Sequence, residues 1–404
     1  MSASSPAAQV FAFPDFRNFI TGRFLAAMAQ HIQTLGVGLY VYEATRDPLA
    51  LGLAGLFTFL PQLLLVAVSG HVADSLDRRS VIVAAYLVNA ASSAVLLALA
   101  QYSVTDVVPV YAAIALVGVS RAFSLPAQQA MMANLVAPEQ RPVAIAWSSS
   151  AMQSATIIGP AAGGFLYLGG PSLVFAVSAV MLVLSALAMA RVSPQPRGGA
   201  SGRFSFSAFT QGAQFIWSNK VLFAALSLDL VAVLFAGVVA LLPIYATDIL
   251  QVGPSGLGWL RSAQAAGALS MALFLARHPI RSHGGRWMLV ASGVFGLAIL
   301  GFGLSKLFWL SLIFVFIEGA SDMVSVVIRS TLIQNDTPDA MRGRVSSVNA
   351  LFIAASNSLG EFESGLAAKL LGVVPATVLG GCISLITTAL WAHLFPALRR
   401  RDKL

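Results

Sequence analysis

Long apolar runs, separated by short polar or charged segments, extend along nearly the whole chain. Twelve of these runs reach about twenty residues, the length that an α-helix needs to cross the hydrocarbon core of a bilayer. The predicted spans are 16–42, 49–73, 79–101, 107–134, 142–168, 171–191, 220–248, 254–277, 286–304, 307–334, 343–371 and 374–396. Because the runs are continuous and do not alternate apolar with polar positions, helices are favoured over membrane strands.

The composition excludes a water-soluble fold. The chain of 404 residues is 57% hydrophobic and 10% charged, whereas a soluble domain carries about 25% charged residues. The net charge of +8 would attract nucleic acid only if the basic residues formed a patch, and here they lie mostly at the ends of the spans. We therefore expect a lipid bilayer, and no nucleic acid, as a partner.

The basic residues also predict the orientation. With both termini in the cytoplasm, most Lys and Arg residues fall at inner ends and loops, and we place Arg329 among them. The basic residues at outer ends are Arg46, Lys306 and Lys369. This asymmetry follows the positive-inside rule. Three further arginines are interpreted as embedded in the membrane, namely Arg23, Arg121 and Arg261.

The two halves of the chain repeat each other at an offset of 201 residues. The matched pairs are Gly118 with Gly319, Gly159 with Gly360, and Gly164 with Gly365. We predict an all-α polytopic membrane protein with twelve transmembrane helices in two pseudo-symmetric six-helix bundles, 14–191 and 219–397. The linker, 192–218, starts rich in Pro, Gly, Ser and Arg and ends in an amphipathic segment, Phe204–Trp217, that is expected to lie on the membrane surface.

A short charged segment separates the second and third predicted spans. Residues 70–79 read Gly-His-Val-Ala-Asp-Ser-Leu-Asp-Arg-Arg. This segment resembles the signature loop of the major facilitator superfamily, Gly-x-x-x-Asp-(Arg/Lys)-x-Gly-Arg-(Arg/Lys). The positions that fit the signature are Gly70, Asp74, Arg78 and Arg79. Ser75 and Asp77 depart from it, since a basic residue and a glycine are usual at these two positions.

Two further segments extend the resemblance. Arg121, three residues after Gly118, is similar to the embedded arginine of the superfamily's helix 4. The fifth span contains a Gly-Pro-x-x-Gly-Gly motif similar to that of the superfamily's exporters, formed by Gly159, Pro160, Gly163 and Gly164. The segment Pro338–Gly365 resembles the drug and siderophore branch, which includes enterobactin exporters. The chain is identified as a member of the superfamily over essentially its full length.

The resemblance implies mechanical roles for these motifs. Asp74, with Gly70 and Arg78, would form a conformational latch that meets the positive end of the helix beginning near Gly343. Arg79 is interpreted as a topology anchor. In the fifth span, the glycines would let a neighbouring helix approach closely while the proline promotes a bend, and static close packing is the alternative.

Ionisable residues inside apolar runs are the candidates for chemistry, because an embedded charge is costly unless it faces a cavity or a partner. Glu318 and Asp322, four residues apart, share a helix face, and such close acids are suited to proton uptake and release. A salt bridge to Arg121 is the alternative for this pair. Asp229 has no basic residue within two turns, so a protonation or cation-binding role stands beside that of a hydrogen-bonded buried carboxyl.

Other embedded polar residues are assigned less directly. Glu361 is the preferred cavity residue over Glu363, and Arg121 is a candidate to hold a substrate carboxylate or to tune a proton carrier. His31 could titrate near neutrality, although packing is the commoner role of a lone histidine. The polar neighbours of His31 in the same helix are Gln30 and Gln33. Arg23 and Arg261 are interpreted as snorkelling from helix ends.

The sequence contains no phosphate-binding loop and no metal-binding spacing, so no cofactor or metal is expected and energy would come from an ion gradient. The resemblance and the embedded acids together predict a monomeric, proton-coupled exporter of a small amphipathic molecule in the bacterial inner membrane, working by alternating access. One alternative is an importer on the same scaffold. Another is a lipid-moving or membrane interaction protein without solute coupling. An enzyme is not expected.

Overall fold

The computed structural model describes residues 10–103, 106–132, 134–194 and 206–402. Within these ranges, the side chains at 67, 71, 73, 74, 206–208 and 340 are not described. The backbone described is α-helical, with short turns between the helices and no β-strand in those ranges.

Six long helices precede the linker. They are α1 (Pro14–Thr45), α2 (Pro48–Ser75), α3 (Arg78–Gln101), α4 (Val108–Met132), α5 (Arg141–Tyr167) and α6 (Pro171–Ala190). The helix α7 (Phe206–Ser218) lies in the linker, and the helices after it are α8 (Lys220–Phe235), α9 (Val238–Ile244), α10 (Gly253–Arg277), α11 (Gly284–Leu304), α12 (Phe308–Asp336), α13 (Asp339–Leu371), α14 (Val373–Leu394) and α15 (Pro396–Arg399). A π-helical turn, Tyr245–Ile249, continues α9.

Within the described part of the chain, eight helical segments are long and apolar enough to cross a membrane, with α8, α9 and the π-helical turn counted as one. The four other long helices, α1, α5, α10 and α13, are less apolar. Polar residues lower their hydropathy, among them His31 in α1, Gln153 in α5, Arg261 in α10 and Glu361 in α13. Membrane crossing by these four helices, and with it the count of twelve, stays a prediction.

The seventh predicted span, 220–248, is wrong as a single helix. The chain leaves the helical conformation at Ala236 and Gly237 and resumes at Val238. A Cβ atom on Gly237 would lie 2.6 Å from the carbonyl oxygen of Gly360 in α13. The break therefore lies where two backbones approach too closely for a side chain.

The chain divides into two compact units. The first contains Met1–Thr45 and Phe57–Phe204, and the second contains Arg46–Leu56 and Ser205–Leu404. Each unit has its own apolar core, with Phe16, Phe19 and Leu182 fully buried in the first and Leu222, Met288 and Ile328 in the second. The start of α2 thus belongs to the second unit, whereas the boundaries at 191 and 219 stay predictions. The amphipathic helix α7 packs on α13.

One pair of glycines matched by the internal repeat, Gly118 and Gly319, performs the same task in both units. A Cβ atom on Gly118 in α4 would lie 2.1 Å from the carbonyl oxygen of Thr58 in α2. A Cβ atom on Gly319 in α12 would lie 2.1 Å from the carbonyl oxygen of Gln264 in α10. Both glycines remove a side chain so that two helices can meet backbone to backbone.

Candidate functional site

A buried ion pair lies at the centre of the candidate site in the second unit. Arg329 in α12 donates through Nη1 to Oδ2 of Asp229 in α8, and the two side chains are 4% and 10% exposed. Two sequence interpretations are therefore corrected. Arg329 lies two turns inside α12, because the helix continues to Asp336, and Asp229 has a basic partner that comes from another helix.

A second carboxylate shares this environment. Asp322 lies seven residues before Arg329, which is two helical turns and hence the same face of α12. Asp322 and Asp229 line one small cavity together with Ser292 and Ser325. Asp322 interacts electrostatically with both members of the ion pair. Two carboxylates thus lie near one guanidinium, and none of the residues lining the cavity is basic.

Glu318, one turn further along the same face of α12, extends the row of acids. It accepts a hydrogen bond of 3.2 Å from Nε2 of Gln264 in α10, and it lines a separate small cavity with Phe302 and Phe314. Glu318 and Asp322 also interact electrostatically. The predicted pair therefore shares a helix face, while its two side chains have different neighbours.

Glu361 in α13 lies against the start of α2, within the second unit. A Cβ atom on Gly55 would lie 2.1 Å from Oε2 of Glu361. Arg261 in α10 interacts electrostatically with Glu361 and donates a long hydrogen bond of 3.4 Å to the Val239 carbonyl. The snorkelling interpretation of Arg261 is therefore wrong, because its guanidinium interacts with groups of the protein.

The predicted polar residues of the first unit lie on α1 and α4. Arg121, Gln30 and His31 are partly buried. A Cβ atom on Gly159 would lie 2.6 Å from the His31 Cβ, so His31 lies at the contact between α1 and α5. Its neighbour Gln33 is buried and donates a hydrogen bond of 3.0 Å to Ser93.

The exporter motif of α5 forms part of the same contact. A Cβ atom on Gly163 would lie 3.2 Å from the Ile32 Cα, while Pro160 and Gly164 are buried in α5. The motif thus provides a close helix contact within the first unit, in agreement with the loss of side chains at its glycines. Movement along this contact stays a prediction.

Sequence reasoning missed a cavity of about 520 Å³ in the first unit. Arg23, interpreted as snorkelling, lines this cavity and donates a hydrogen bond of 2.6 Å from Nη1 to Oγ of Ser148. Residues from α5 form one wall, and they are Ile145, Ser148, Ser149, Met152 and Gln153. Their spacing is that of one helix face, a pattern that is readable in the sequence and could have located the cavity.

The signature segment has local structural roles in the first unit. Asp77 is the N-cap of α3 and accepts a hydrogen bond from the backbone N–H of Arg79, which stabilises the start of the helix. Arg78 donates 3.1 Å to the Ala130 carbonyl in the last turn of α4. Arg79 donates 3.1 Å to the Val192 carbonyl just after α6. Both arginines thus satisfy carbonyl groups at helix ends.

The proposed latch stays a prediction. The side chain of Asp74 lies outside the described residues, and a Cβ atom on Gly70 would meet no described atom within 4 Å. Among the described residues, no group of three or more His, Cys, Asp and Glu side chains is arranged to hold a metal ion.

Membrane-length helices in two units, with charged side chains buried among them, define a polytopic membrane transporter. The sequence matches the transmembrane secretion effector family over residues 4–403, and the chain belongs to this family of the major facilitator superfamily. The predicted superfamily and exporter-like branch are therefore confirmed. The family and its named relatives are transporters rather than enzymes.

Named relatives span nearly the whole chain. Macrolide efflux protein A of Streptococcus pyogenes is 24% identical over 396 residues, covering 96% of this chain and 97% of the relative. Enterobactin exporter EntS of Escherichia coli O81 is 24% identical over 374 residues, covering 91% and 88%. Among solved structures, a variant of nucleoside transporter NupG matches with a TM-score of 0.74 at 13% identity, covering 94% of this chain and 100% of the other. This last likeness concerns the fold alone.

Proposed function

We propose that this protein exports a small amphipathic molecule from a bacterial cell in exchange for protons. Both termini would lie in the cytoplasm, and twelve helices in two bundles would expose the bound molecule to each side of the membrane in turn. The efflux relatives support the direction of transport. The single observation that supports proton coupling is the buried cluster of Asp229, Asp322 and Arg329.

The coupling step follows from the charges of this cluster. One guanidinium cannot fully compensate two carboxylates in a site from which water is largely excluded, so the cluster favours the uptake of one proton. Asp322 is the proposed proton carrier, because Asp229 holds the direct contact with Arg329. Release of that proton would make Asp322 compete for Arg329 and loosen the contact between α8 and α12.

Transport direction can be tested in a host that lacks its own exporters. The probes are a macrolide and enterobactin, the compounds that the two named relatives are called after. Cells that express this protein are expected to accumulate less of at least one probe than control cells, and dissipation of the proton gradient should abolish the difference. Higher accumulation in expressing cells would identify an importer and overturn the proposal.

Asp322→Asn is the sharper test of coupling. The expected result is a folded protein that still exchanges probe across proteoliposomes at equal pH but no longer concentrates it when a pH gradient is applied. The matched control is Asp339→Asn, since Asp339 is 89% exposed at the start of α13. Gradient-driven accumulation at the wild-type level by Asp322→Asn would rule out Asp322 as the carrier.

The latch yields a separate expectation. Asp74→Asn should leave the protein folded and in the membrane while slowing transport, because the neutral side chain loses its attraction to a helix N-terminus. The measurement is the initial transport rate, normalised to the amount of protein in the membrane. Normal transport at normal expression would discard the latch.

A further inference from the structure

The cavity of the first unit is lined by basic and neutral polar groups. Arg23 comes from α1, Gln129 from the last turn of α4, and Arg141 and Ser148 from α5. No acidic residue lines the cavity. Glu139, the acid nearest to Arg141 along the chain, lies exposed in the short turn Pro138–Gln140 before α5 and is not part of the lining.

Arg23 lacks a counter-ion within the part of the chain that the structure describes. No ion pair there includes Arg23 or Arg141. One guanidinium nitrogen of Arg23 donates to Ser148, the group lies 5.4 Å above the Phe19 ring, and its Nε is buried with no partner there. The neighbouring Tyr86 hydroxyl is also buried with no partner in the described residues.

An arginine stays charged in any environment, so it cannot relieve this situation by losing its proton. A partly buried charge without an opposite charge beside it is costly in the low dielectric of a membrane protein. The group that compensates this charge most effectively is an anion, because carboxylate and phosphate oxygens match the fork of N–H donors.

The remaining lining defines the rest of the ligand. Met132, Ile145 and Met152 provide an apolar wall, and methionine adapts its shape to different ligands. The volume of about 520 Å³ lies in the range of cavities that enclose drug-sized molecules. A molecule with an apolar body and one anionic group therefore matches both the positive charge and the volume of the cavity.

We propose that this cavity, defined by Arg23, Arg141 and Ser148, is the entry subsite for the exported molecule and selects amphipathic compounds with a carboxylate or similar anionic group. This inference rests on the proposed export function, for which it specifies the class of substrate. The cavity lies at the end of the unit that holds Arg17 and Arg141, which is cytoplasmic in the proposed orientation, so a substrate would enter it from inside the cell.

The test uses purified full-length protein and three probes with one apolar body. These are 4-phenylbutyrate, its neutral amide and the cationic 4-phenylbutylamine, with binding measured by calorimetry at pH 7. The carboxylate is expected to bind about tenfold more tightly than the amide, which is the contribution of a charge-assisted hydrogen bond. Equal or tighter binding of the amide or the amine, or no binding of the carboxylate at millimolar concentration, would overturn the proposal.

Arg23→Gln should weaken binding of the carboxylate about tenfold and leave binding of the amide unchanged. Arg23→Lys should retain part of the preference, because it keeps the charge but not the fork. The matched control is Arg17→Gln, an exposed arginine in the first turn of α1, which should bind as the wild type does. Preference for the carboxylate that survives in Arg23→Gln, at an unchanged melting temperature, would contradict the assignment.

This measurement needs no pH gradient, so its outcome is independent of proton coupling. Asp322→Asn is expected to keep the binding preference, since Asp322 belongs to the other unit. Selective binding of the anion without proton-driven transport would contradict only the proposed proton coupling. Proton-driven transport without a preference for the anion would remove only the proposed subsite.

Discussion

Replacing Arg329 with methionine is expected to destabilise the second unit by about 3–5 kcal/mol and to abolish transport. The change leaves Asp229 and Asp322 facing each other in a cavity whose other lining residues are apolar or neutral. Two buried carboxylates without a cation can avoid repulsion only by taking up protons. The loss of stability should therefore be smaller at acidic pH, because a protonated carboxyl group costs less to bury than a carboxylate.

Thermal unfolding of the purified protein measures this loss, and the double variant Asp229→Leu with Arg329→Met is its matched control. A buried ion pair that is replaced by apolar residues of similar size often costs little stability. The double variant should therefore recover much of the melting temperature but none of the gradient-driven transport. If the double variant were as unstable as Arg329→Met alone, lost packing rather than an unpaired charge would be the cause. Transport by either variant would remove the ion pair from the mechanism.

Helix positions could be predicted closely from the sequence, because each apolar run ends at a charge, a proline or a glycine. The predicted span 171–191 corresponds to helix Pro171–Ala190, and 254–277 corresponds to Gly253–Arg277. These ends depend on local chemistry alone. The interruption at Gly237 could not be predicted, because it depends on the approach of Gly360 from another helix.

The candidate site could be predicted only in part, because some of its features are local in the sequence and others depend on tertiary contacts. Asp229 and Asp322 stand out because any acid within an apolar run is conspicuous. Their partner Arg329 did not stand out, since it lies near the predicted end of its span, 307–334, and was counted with the basic residues of the inner ends. The ion pair joins residues 100 positions apart on different helices, and a single sequence carries no record of such a contact.

Arg23 was located in the sequence but assigned the wrong environment. Snorkelling is the usual account of an arginine near the end of a membrane helix. The cavity wall that contradicts it consists of residues from three helices, α1, α4 and α5. The polar positions on one face of α5 could have indicated this wall from the sequence. The contact of the three helices, by contrast, depends on tertiary packing alone.

The backbone contact at Gly319 gives the second large expected effect. Gly319→Leu should prevent stable packing of α10 on α12, because even a Cβ atom would lie 2.1 Å from the Gln264 carbonyl oxygen. Overpacking of a close contact typically costs about 1–3 kcal/mol, and a bulky side chain against a rigid backbone lies at or above the upper end of that range. Separation of the helices would also break the hydrogen bond from Gln264 to Glu318. The variant should therefore lose stability and, at the same time, the packing that positions Glu318 on α12.

Gly293→Leu is the matched control, because Gly293 lies in the interior of α11 and a Cβ atom there would meet no described atom within 4 Å. This control should fold normally, and Gly293→Ala should raise helix stability slightly. Gly118→Leu, the repeat-related change, should damage the first unit as Gly319→Leu damages the second, since its Cβ would lie equally close to the Thr58 carbonyl. The measurement is the yield of monodisperse protein and its melting temperature. If Gly319→Leu and Gly293→Leu gave the same yield and the same melting temperature, the direct backbone contact between α10 and α12 would be refuted. The shared role of Gly118 and Gly319 would then be refuted as well.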